Sequence, residues 1–306
     1  MDEFVASTTA LGASLMRALH TRADPEPILD DPWGDQLVPR AAVDALREHL
    51  LSSMSATERE AAEAATESVL DNWMRNSPAY ANVLLRSRYT EDSLNSAIEH
   101  GTTQYVLIGA GFDSYALRKP PAAEKLAVYE IDHPTTQSLK KRRLAECEVL
   151  VGDSVHFLAA DLSKEGLGAV LSRSSFQPTA LSFFSLLGVT MYLTREANLA
   201  TLGAIAASGA PGSEVVFSYL DQGVLSAGSD LATKEFVELQ ERVRAMGEPF
   251  VSGFDPKTLA HDLRDVGLQL EEDITVLQVL ERYDASGANG LRPGPQSRIA
   301  RARSPS

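Results

Sequence analysis

Apolar residues recur along the chain with two different periods. In the first hundred residues they follow helical spacing, as Leu11, Leu15 and Leu19 do within residues 9–19, and this predicts a helix there. The same spacing predicts further helices, among them residues 41–51, 66–74 and 79–100. We therefore expect residues 1–100 to be mostly helical.

From residue 104 onward, short apolar runs alternate with helical stretches. The runs predict strands over residues 105–108, 126–131, 155–159, 180–186, 214–219 and 268–275. The stretches between them predict helices over residues 134–147, 194–207, 230–246 and 255–266. Such alternation is typical of an α/β fold with a mostly parallel sheet and helices on both faces. Ligands of these sheets bind at the carboxyl ends of the strands.

Two glycines, Gly109 and Gly111, follow the first predicted strand directly in the segment GAGFDS. They indicate a backbone that turns sharply and approaches a ligand. A P-loop would need glycine and lysine where Ser114 and Tyr115 stand, so that interpretation fails. A dinucleotide fingerprint would also need glycine at Ser114, and Asp113 would repel a pyrophosphate. The dinucleotide interpretation is thereby weakened but stays open.

Carboxylates at the ends of the next two strands favour a cationic ligand without phosphate, such as S-adenosylmethionine. Asp132 ends the second strand, where it can accept hydrogen bonds from both hydroxyls of a ribose. Glu130 is its rival, because alternation places both side chains on the same side of the strand. Asp161, with apolar Leu162 beside it, follows the third strand and can accept from an adenine amino group. Asp161 can equally cap the next helix.

Composition and charge restrict the classes of partner. The chain has 306 residues, of which 44% are hydrophobic, so it can bury a large core. Its 42 acidic residues against 28 basic ones give a net charge of −14, which argues against binding to nucleic acid or to an anionic membrane. The basic cluster of Arg298, Arg301 and Arg303 is expected to be a solvated tail.

Cysteine content and hydropathy bear on the compartment. The single cysteine, Cys147, excludes an intramolecular disulfide and a cysteine-based zinc cage, and we predict no metal site. The first residues lack the basic and apolar regions of a secretory signal, and no apolar run approaches the roughly 18 residues needed to cross a bilayer. We expect a soluble, cytoplasmic protein.

A series of motifs resembles one known family over nearly the whole chain. The segments are "RSRYTEDSL", "QYVLIGAGFDSYALR", "VYEIDHPTTQSLKKRRL", "FLAADL", "FFSLLGVTMYLTREA", "GSEVVFSYL" and "NGLRPG". In this order they resemble the leucine carboxyl methyltransferase-like family. The closest resemblance is to its actinobacterial branch of S-adenosylmethionine-dependent methyltransferases, which includes polyketide O-methyltransferases.

The resemblance implies a class I methyltransferase fold with a helical N-terminal cap, residues 1–100, that contributes to the cofactor and substrate site. Its Rossmann-like domain, with a seven-stranded, mostly parallel sheet, would occupy residues 101–306. Carried over residue by residue, the resemblance places Gly109 and Gly111 at the methionine part of the cofactor S-adenosylmethionine. It places Asp132 at the ribose, and Asp161 with Leu162 at the adenine.

Two further positions follow from the same resemblance. Arg88, in the segment RSRY, matches the family arginine that pairs with the cofactor carboxylate. Leu187 stands where many family members have a glutamate, and a leucine cannot hydrogen-bond the cofactor ammonium. Asp113 or a backbone carbonyl would have to replace that contact.

The implied reaction is methyl transfer to the carboxylate or hydroxyl of a small molecule. Alignment supplies most of the catalysis in such a displacement, and no metal is required. A hydroxyl acceptor needs a base, but His133, Tyr192 and Tyr219 are each as well or better explained by structural roles, so we assign none. The acceptor would lie between the cap, the strand ends and an insertion over residues 221–249. An NAD(P)-dependent oxidoreductase and a cofactor-binding interaction protein without turnover remain alternatives.

Overall fold

The computed structural model describes residues 7–64, 68–162, 164–225, 229, 232–245 and 247–305. Its helices are α1 (Thr8–Ala23), α2 (Gly34–Leu37), α3 (Arg40–Ser53), α4 (Ala56–Ala64), α5 (Val69–Arg75), α6 (Pro78–Glu99), α7 (Pro134–Glu146), α8 (Leu167–Ser172), α9 (Arg195–Ser208), α10 (Lys234–Ala245), α11 (Leu259–Asp265) and α12 (Val276–Tyr283). Its strands are β1 (Gln104–Ile108), β2 (Ala127–Asp132), β3 (Val155–Ala159), β4 (Ser182–Leu186), β5 (Glu214–Leu220), β6 (Gln269–Thr275) and β7 (Ser297–Arg303).

The seven strands form one mixed sheet in the order β3-β2-β1-β4-β5-β7-β6. The first five strands run parallel, whereas β7 is antiparallel to both of its neighbours. In the parallel part, Ile108 pairs with Ile131, and Ile131 pairs with Leu158. Because this register is level, the segments that follow β1, β2 and β3 emerge side by side at one edge. The predicted α/β fold class is confirmed.

Helices cover both faces of the sheet. On one face, Leu19 of α1 and Leu84 of α6 share a buried core with Leu107 and Val216 of the sheet. The other face has its own core, in which residues of α9 and α11 pack against strand residues. The N-terminal helices thus pack directly on the sheet. None of the helices within the described residues has the length and hydropathy of a membrane span.

The last strand corrects one prediction from charge. Arg298, Arg301 and Arg303 belong to β7, inside the sheet, and are not a solvated tail. Arg298 pairs with Asp273 at 2.8 Å, and Arg303 pairs with Glu214 at 2.9 Å. The apolar residues between the arginines are fully buried. Carboxylates on β5 and β6, the two strands that pair with β7, therefore neutralise the arginines and allow a basic segment to enter the sheet.

The long helix α6 lies between the N-terminal helices and the sheet. Ser77 caps it through a hydrogen bond from the Ala79 backbone N–H to Ser77 Oγ at 3.3 Å, and Pro78 occupies its first position, where the missing N–H costs nothing. The helix is buried on most of its circumference, which fixes its rotation about its own axis. That rotation decides which of its polar side chains can reach a ligand.

Candidate active site

A cavity of about 640 Å³ opens at the carboxyl ends of the parallel strands. One side, which we call the strand-end wall, consists of residues 107–113, 132–133, 185, 187–189 and 191–192. A second side, the helical wall, consists of Leu46 of α3, Trp73 of α5, and Phe236, Leu239, Arg242 and Val243 of α10. The start of α1 and one face of α6 also line it. The volume is within the range of ligand pockets, roughly 300–1,000 Å³.

The glycine loop forms the centre of the strand-end wall. Gly109 and Gly111 have φ values of +73° and +52°, a region that side chains other than glycine rarely adopt. A Cβ on Gly109 would lie 2.4 Å from Cγ2 of Val189, and one on Gly111 would lie 3.0 Å from Cβ of Ala10. The loop is therefore closely covered by α1 on one side and by the segment after β4 on the other. Both glycines line the cavity, as predicted from their position.

Asp132 lies in the same wall and is held by the loop. Its Oδ2 accepts a hydrogen bond from the Gly111 N–H at 2.6 Å, and its Oδ1 accepts one from the His133 N–H at 2.7 Å. Burial raises the pKa of Asp132, and the two N–H donors partly oppose that shift. Each carboxylate oxygen can accept a second hydrogen bond, so Asp132 can still bind a ligand hydroxyl.

The rival carboxylate, Glu130, has a different position. It is buried beneath the loop, forms an ion pair with Lys140 and does not line the cavity. Lys140 Nζ also donates to the Asp113 carbonyl oxygen at 2.5 Å. This pair supports the glycine loop from below and leaves Asp132 facing the cavity. The Asp113 side chain accepts from the Tyr115 N–H at 2.8 Å, and Asp113 and Leu187 both line the cavity.

Asp161 and Leu162 follow β3 beside Asp132 but do not line the cavity. The Ala160 N–H donates to the Asp132 carbonyl oxygen at 2.9 Å, so the two strand ends are adjacent. Asp161 forms an ion pair with Lys164 at 2.7 Å, and Leu162 packs against the core on that face of the sheet. Their adenine-binding roles stay predictions.

The structure places Arg88 away from the cavity. Its Nη1 donates to the Ile28 carbonyl oxygen at 2.9 Å, and its guanidinium lies near Asp92 and over the ring of Tyr283. Arg86, two residues earlier, lines the cavity instead. Two residues along a helix correspond to a rotation of about 200°, so the two arginines point to opposite sides of α6.

Arg86 is the functional candidate that the sequence interpretation missed. Its guanidinium lies over Gly188, where a Cβ would approach Nη1 and Nη2 to 2.6 Å. Burial lowers the pKa of Arg86 to about 10, and within the described residues no carboxylate pairs with it. An arginine without an ion-pair partner, held in a cavity, is suited to binding an anionic ligand group. Asn82 and Val83 precede Arg86 by four and three residues, and all three line the cavity from one face of α6. This helical spacing is the feature of the sequence that could have identified Arg86.

The remaining cavity residues include the three that were considered as bases. His133 Nδ1 accepts from the Thr135 N–H at 3.4 Å and caps α7, which is a structural role. Tyr219 Oη donates to Asp273 at 2.9 Å, and burial raises the pKa of Tyr219. Burial also raises the pKa of Tyr192. A raised phenol pKa opposes a role as a general base near neutral pH.

The polar groups at the strand-end wall and on α6 can be compared with the groups of a ligand that joins a nucleoside to an amino acid. Gly109 and Gly111, which have no Cβ, permit close backbone approach, a cavity-facing carboxylate can accept from ribose hydroxyls, and the Arg86 guanidinium can bind an amino-acid carboxylate. No lysine lines the described part of this wall, and Asp113 lines it where a phosphate would be repelled. These residues fit S-adenosylmethionine.

Known proteins are similar to this chain in sequence and in fold. A Bacillus subtilis relative named "Putative S-adenosyl-L-methionine-dependent methyltransferase YktD" is 32% identical over 273 residues, 88% of this chain and 88% of the relative. A Mycolicibacterium smegmatis relative with the same class name is 29% identical over 283 residues, 92% of this chain and 87% of the relative. A crystal structure from Thermobifida fusca covers 100% of this chain and 97% of its own, with a TM-score of 0.58 at 14% identity, which supports the fold.

The family model described as leucine carboxyl methyltransferase matches residues 10–206, well over half of the chain. The match includes α1, α6, the glycine loop and the strand-end wall. It confirms the resemblance drawn from the motifs. The chain belongs to the leucine carboxyl methyltransferase family.

Proposed function

We propose that this protein transfers the methyl group of S-adenosylmethionine to an oxygen of a small-molecule acceptor. The observation that carries the proposal is the Arg86 guanidinium, which lies over Gly188 in the same cavity as the glycine loop and Asp132 and has no carboxylate partner in the described residues. Together these three features complement the carboxylate, the methionine part and the ribose of one cofactor. Family membership supports methyl transfer over the oxidoreductase alternative.

When bound, S-adenosylmethionine supplies a methyl group on a cationic sulfur, so the acceptor oxygen gains an O–CH₃ bond while the electron pair of the broken S–CH₃ bond stays on sulfur. Arg86 would hold the amino-acid carboxylate through two parallel hydrogen bonds. Asp132 would accept from the ribose hydroxyls. Asp113 lines the cavity where it could accept from the ammonium group, a contact that Leu187 cannot make.

The acceptor is proposed to be a carboxylate or a hydroxyl, as in the polyketide O-methyltransferase branch that the motifs resemble. A carboxylate is already a nucleophile at neutral pH, whereas a hydroxyl must lose its proton. The raised pKa values of Tyr192 and Tyr219 favour the carboxylate, because neither phenol is prepared to accept a proton. The helix α1, with Ala10 over Gly111, covers this part of the cavity.

The proposal is tested by calorimetric titration of the full-length protein with S-adenosylhomocysteine and, separately, with NADH. We expect S-adenosylhomocysteine to bind with one site per chain and NADH to bind at least tenfold more weakly, because Asp113 and Asp132 line the strand-end wall and would repel a pyrophosphate. Tighter binding of NADH would contradict the proposal. A missing signal for S-adenosylhomocysteine would contradict it as well.

A further inference from the structure

The helical wall contains a cation that the proposed cofactor contacts leave unused. Four arginines line the cavity: Arg17, Arg86, Arg242 and Arg298. Arg17 is paired with Asp31 at 2.7 Å, and Arg298 is paired with Asp273 at 2.8 Å. Arg86 would be neutralised by the cofactor carboxylate. Arg242 is then the cavity arginine without an ion pair among the described residues, and Glu238, whose charge acts on it, pairs with Lys234 at 3.7 Å.

Arg242 is held in place by an aromatic ring. Its guanidinium carbon lies 5.0 Å from the ring centre of Trp73, a cation–π contact between α10 and α5. Burial lowers the pKa of Arg242, with the charge of Glu238 opposing that shift, so the guanidinium is partly withdrawn from water. A partly desolvated guanidinium over a ring still has N–H groups that can donate to a ligand.

The other residues of the helical wall are apolar or aromatic. Phe236, Leu239 and Val243 recur on one face of α10 at helical spacing and line the cavity with Arg242. Leu46 of α3 contributes to the same wall. Such a wall gains free energy by covering the apolar body of a ligand, while its single cation fixes the orientation of that ligand.

We infer that the methyl acceptor is an organic anion with an apolar body, and that Arg242, in cation–π contact with Trp73, binds its anionic group. This inference rests on the proposed function, because it assigns the helical wall to the acceptor. The net charge of −14 makes the local cation necessary, since an anion would otherwise be repelled by the protein as a whole.

The test uses two fluorescent probes that share an aromatic skeleton. 1-Anilinonaphthalene-8-sulfonate carries an anionic group, and N-phenyl-1-naphthylamine has the same rings without it. Each probe is titrated into full-length protein saturated with S-adenosylhomocysteine. In the variant Arg242→Gln we expect the affinity for the sulfonate to fall about tenfold or more and the affinity for the neutral probe to stay within about twofold.

Arg244→Gln is the matched control, because Arg244 lies on the same helix, is exposed and does not line the cavity. It should leave both affinities unchanged. Equal weakening of both probes by Arg242→Gln, an unchanged sulfonate affinity, or an equal effect of the control variant would each overturn the inference. The melting temperature of each variant, measured by circular dichroism, shows whether the fold is intact. Arg242→Lys retains the charge, so it should bind the sulfonate more tightly than Arg242→Gln does.

The outcome separates this inference from the proposed function. If S-adenosylhomocysteine fails to bind to the wild-type protein, the proposed function is wrong, and the probe pair still reports on Arg242 in the free protein. If S-adenosylhomocysteine binds equally to the wild type and to Arg242→Gln while the probes do not distinguish the two proteins, only the present inference is wrong.

Discussion

The strand-end wall and the helical wall of the cavity are built in different ways. In the strand-end wall, the polar groups come from backbone turns and from side chains at the ends of neighbouring strands, and Gly111 and Asp132 hold one another at 2.6 Å. In the helical wall, Leu46, Trp73 and Arg242 come from three helices that are distant in sequence. The first wall is fixed by the register of the sheet, whereas the second depends on how helices pack.

This difference separates recognition of a shared cofactor from recognition of a particular acceptor. A sheet edge with a level register presents the same geometry whatever side chains the helices carry. Substitutions in helices α3, α5 and α10 can change the helical wall without disturbing that edge. We therefore expect changes in the strand-end wall to alter cofactor affinity and changes in the helical wall to alter acceptor affinity.

The largest effect is expected from Arg86, which stands between the two walls. Arg86→Ala should weaken S-adenosylhomocysteine binding by at least about hundredfold, because two charge-assisted hydrogen bonds worth roughly 1.5–3 kcal/mol each are lost. Arg88→Ala is the matched control on the same helix and should leave the dissociation constant unchanged. Isothermal titration measures both. A larger effect for Arg88 would return the carboxylate contact to that residue.

Asp132 should produce the next largest effect, and Glu130 provides its comparison. Asp132→Ala should weaken S-adenosylhomocysteine binding by about 2 kcal/mol and change the melting temperature little. Glu130→Ala should instead lower stability by about 3–5 kcal/mol, because Lys140 would be left buried without its partner. Titration and thermal denaturation of both variants distinguish the roles. If both variants lost the same affinity for S-adenosylhomocysteine and neither lost stability, the ribose-binding role could not be assigned to Asp132 alone.

The pH dependence of binding should show a smaller effect with a defined sign. Burial raises the pKa of Asp132 in the free protein, and ribose hydroxyls would donate to its ionised form. Affinity should therefore be constant above the raised pKa and fall as the pH decreases through it, at a higher pH than for an ordinary aspartate near 3.9. Dissociation constants between about pH 4.5 and 8 measure this slope. Identical slopes in the wild type and in Asp132→Asn would exclude Asp132 as its source.

Asp161 should give the smallest effect of the series. Asp161→Ala removes at most one hydrogen bond to the adenine amino group, which corresponds to about 1 kcal/mol or roughly fivefold in affinity. Lys164→Ala removes the ion-pair partner of Asp161 and should not weaken binding. S-adenosylhomocysteine titrated into both variants separates an adenine contact from a surface ion pair. If the two variants had the same affinity for S-adenosylhomocysteine, Asp161 would not be the residue that binds the adenine.

The strand-end wall could be predicted from the sequence for a physical reason. Gly109, Gly111 and Asp132 lie within about one β-α-β unit, and parallel pairing necessarily brings the ends of β1 and β2 together. The choice between Asp132 and Glu130 followed only from the family resemblance. The structure adds the physical reason, since Glu130 is occupied by Lys140 and Asp132 faces the cavity.

The choice between Arg86 and Arg88 depended on the rotation of α6, and the hydrophobic pattern does not define it. Residues on most sides of this helix are buried, because α1 and the sheet pack against different faces. With no single polar face, two arginines separated by about 200° are equivalent in the sequence. The strand β7 was missed for a related reason, since its arginines are neutralised by Asp273 and Glu214, which lie far away along the chain.

A crystal structure of the complex with S-adenosylhomocysteine tests the central claim most directly, because it shows which groups of the cavity contact each part of the ligand. We predict that the carboxylate of the ligand lies within hydrogen-bonding distance of the Arg86 guanidinium, that the ribose hydroxyls contact Asp132, and that the helical wall around Arg242 stays free for the acceptor. A ligand carboxylate bound to Arg88, or a ligand that occupies the helical wall in place of the strand-end wall, would contradict the account.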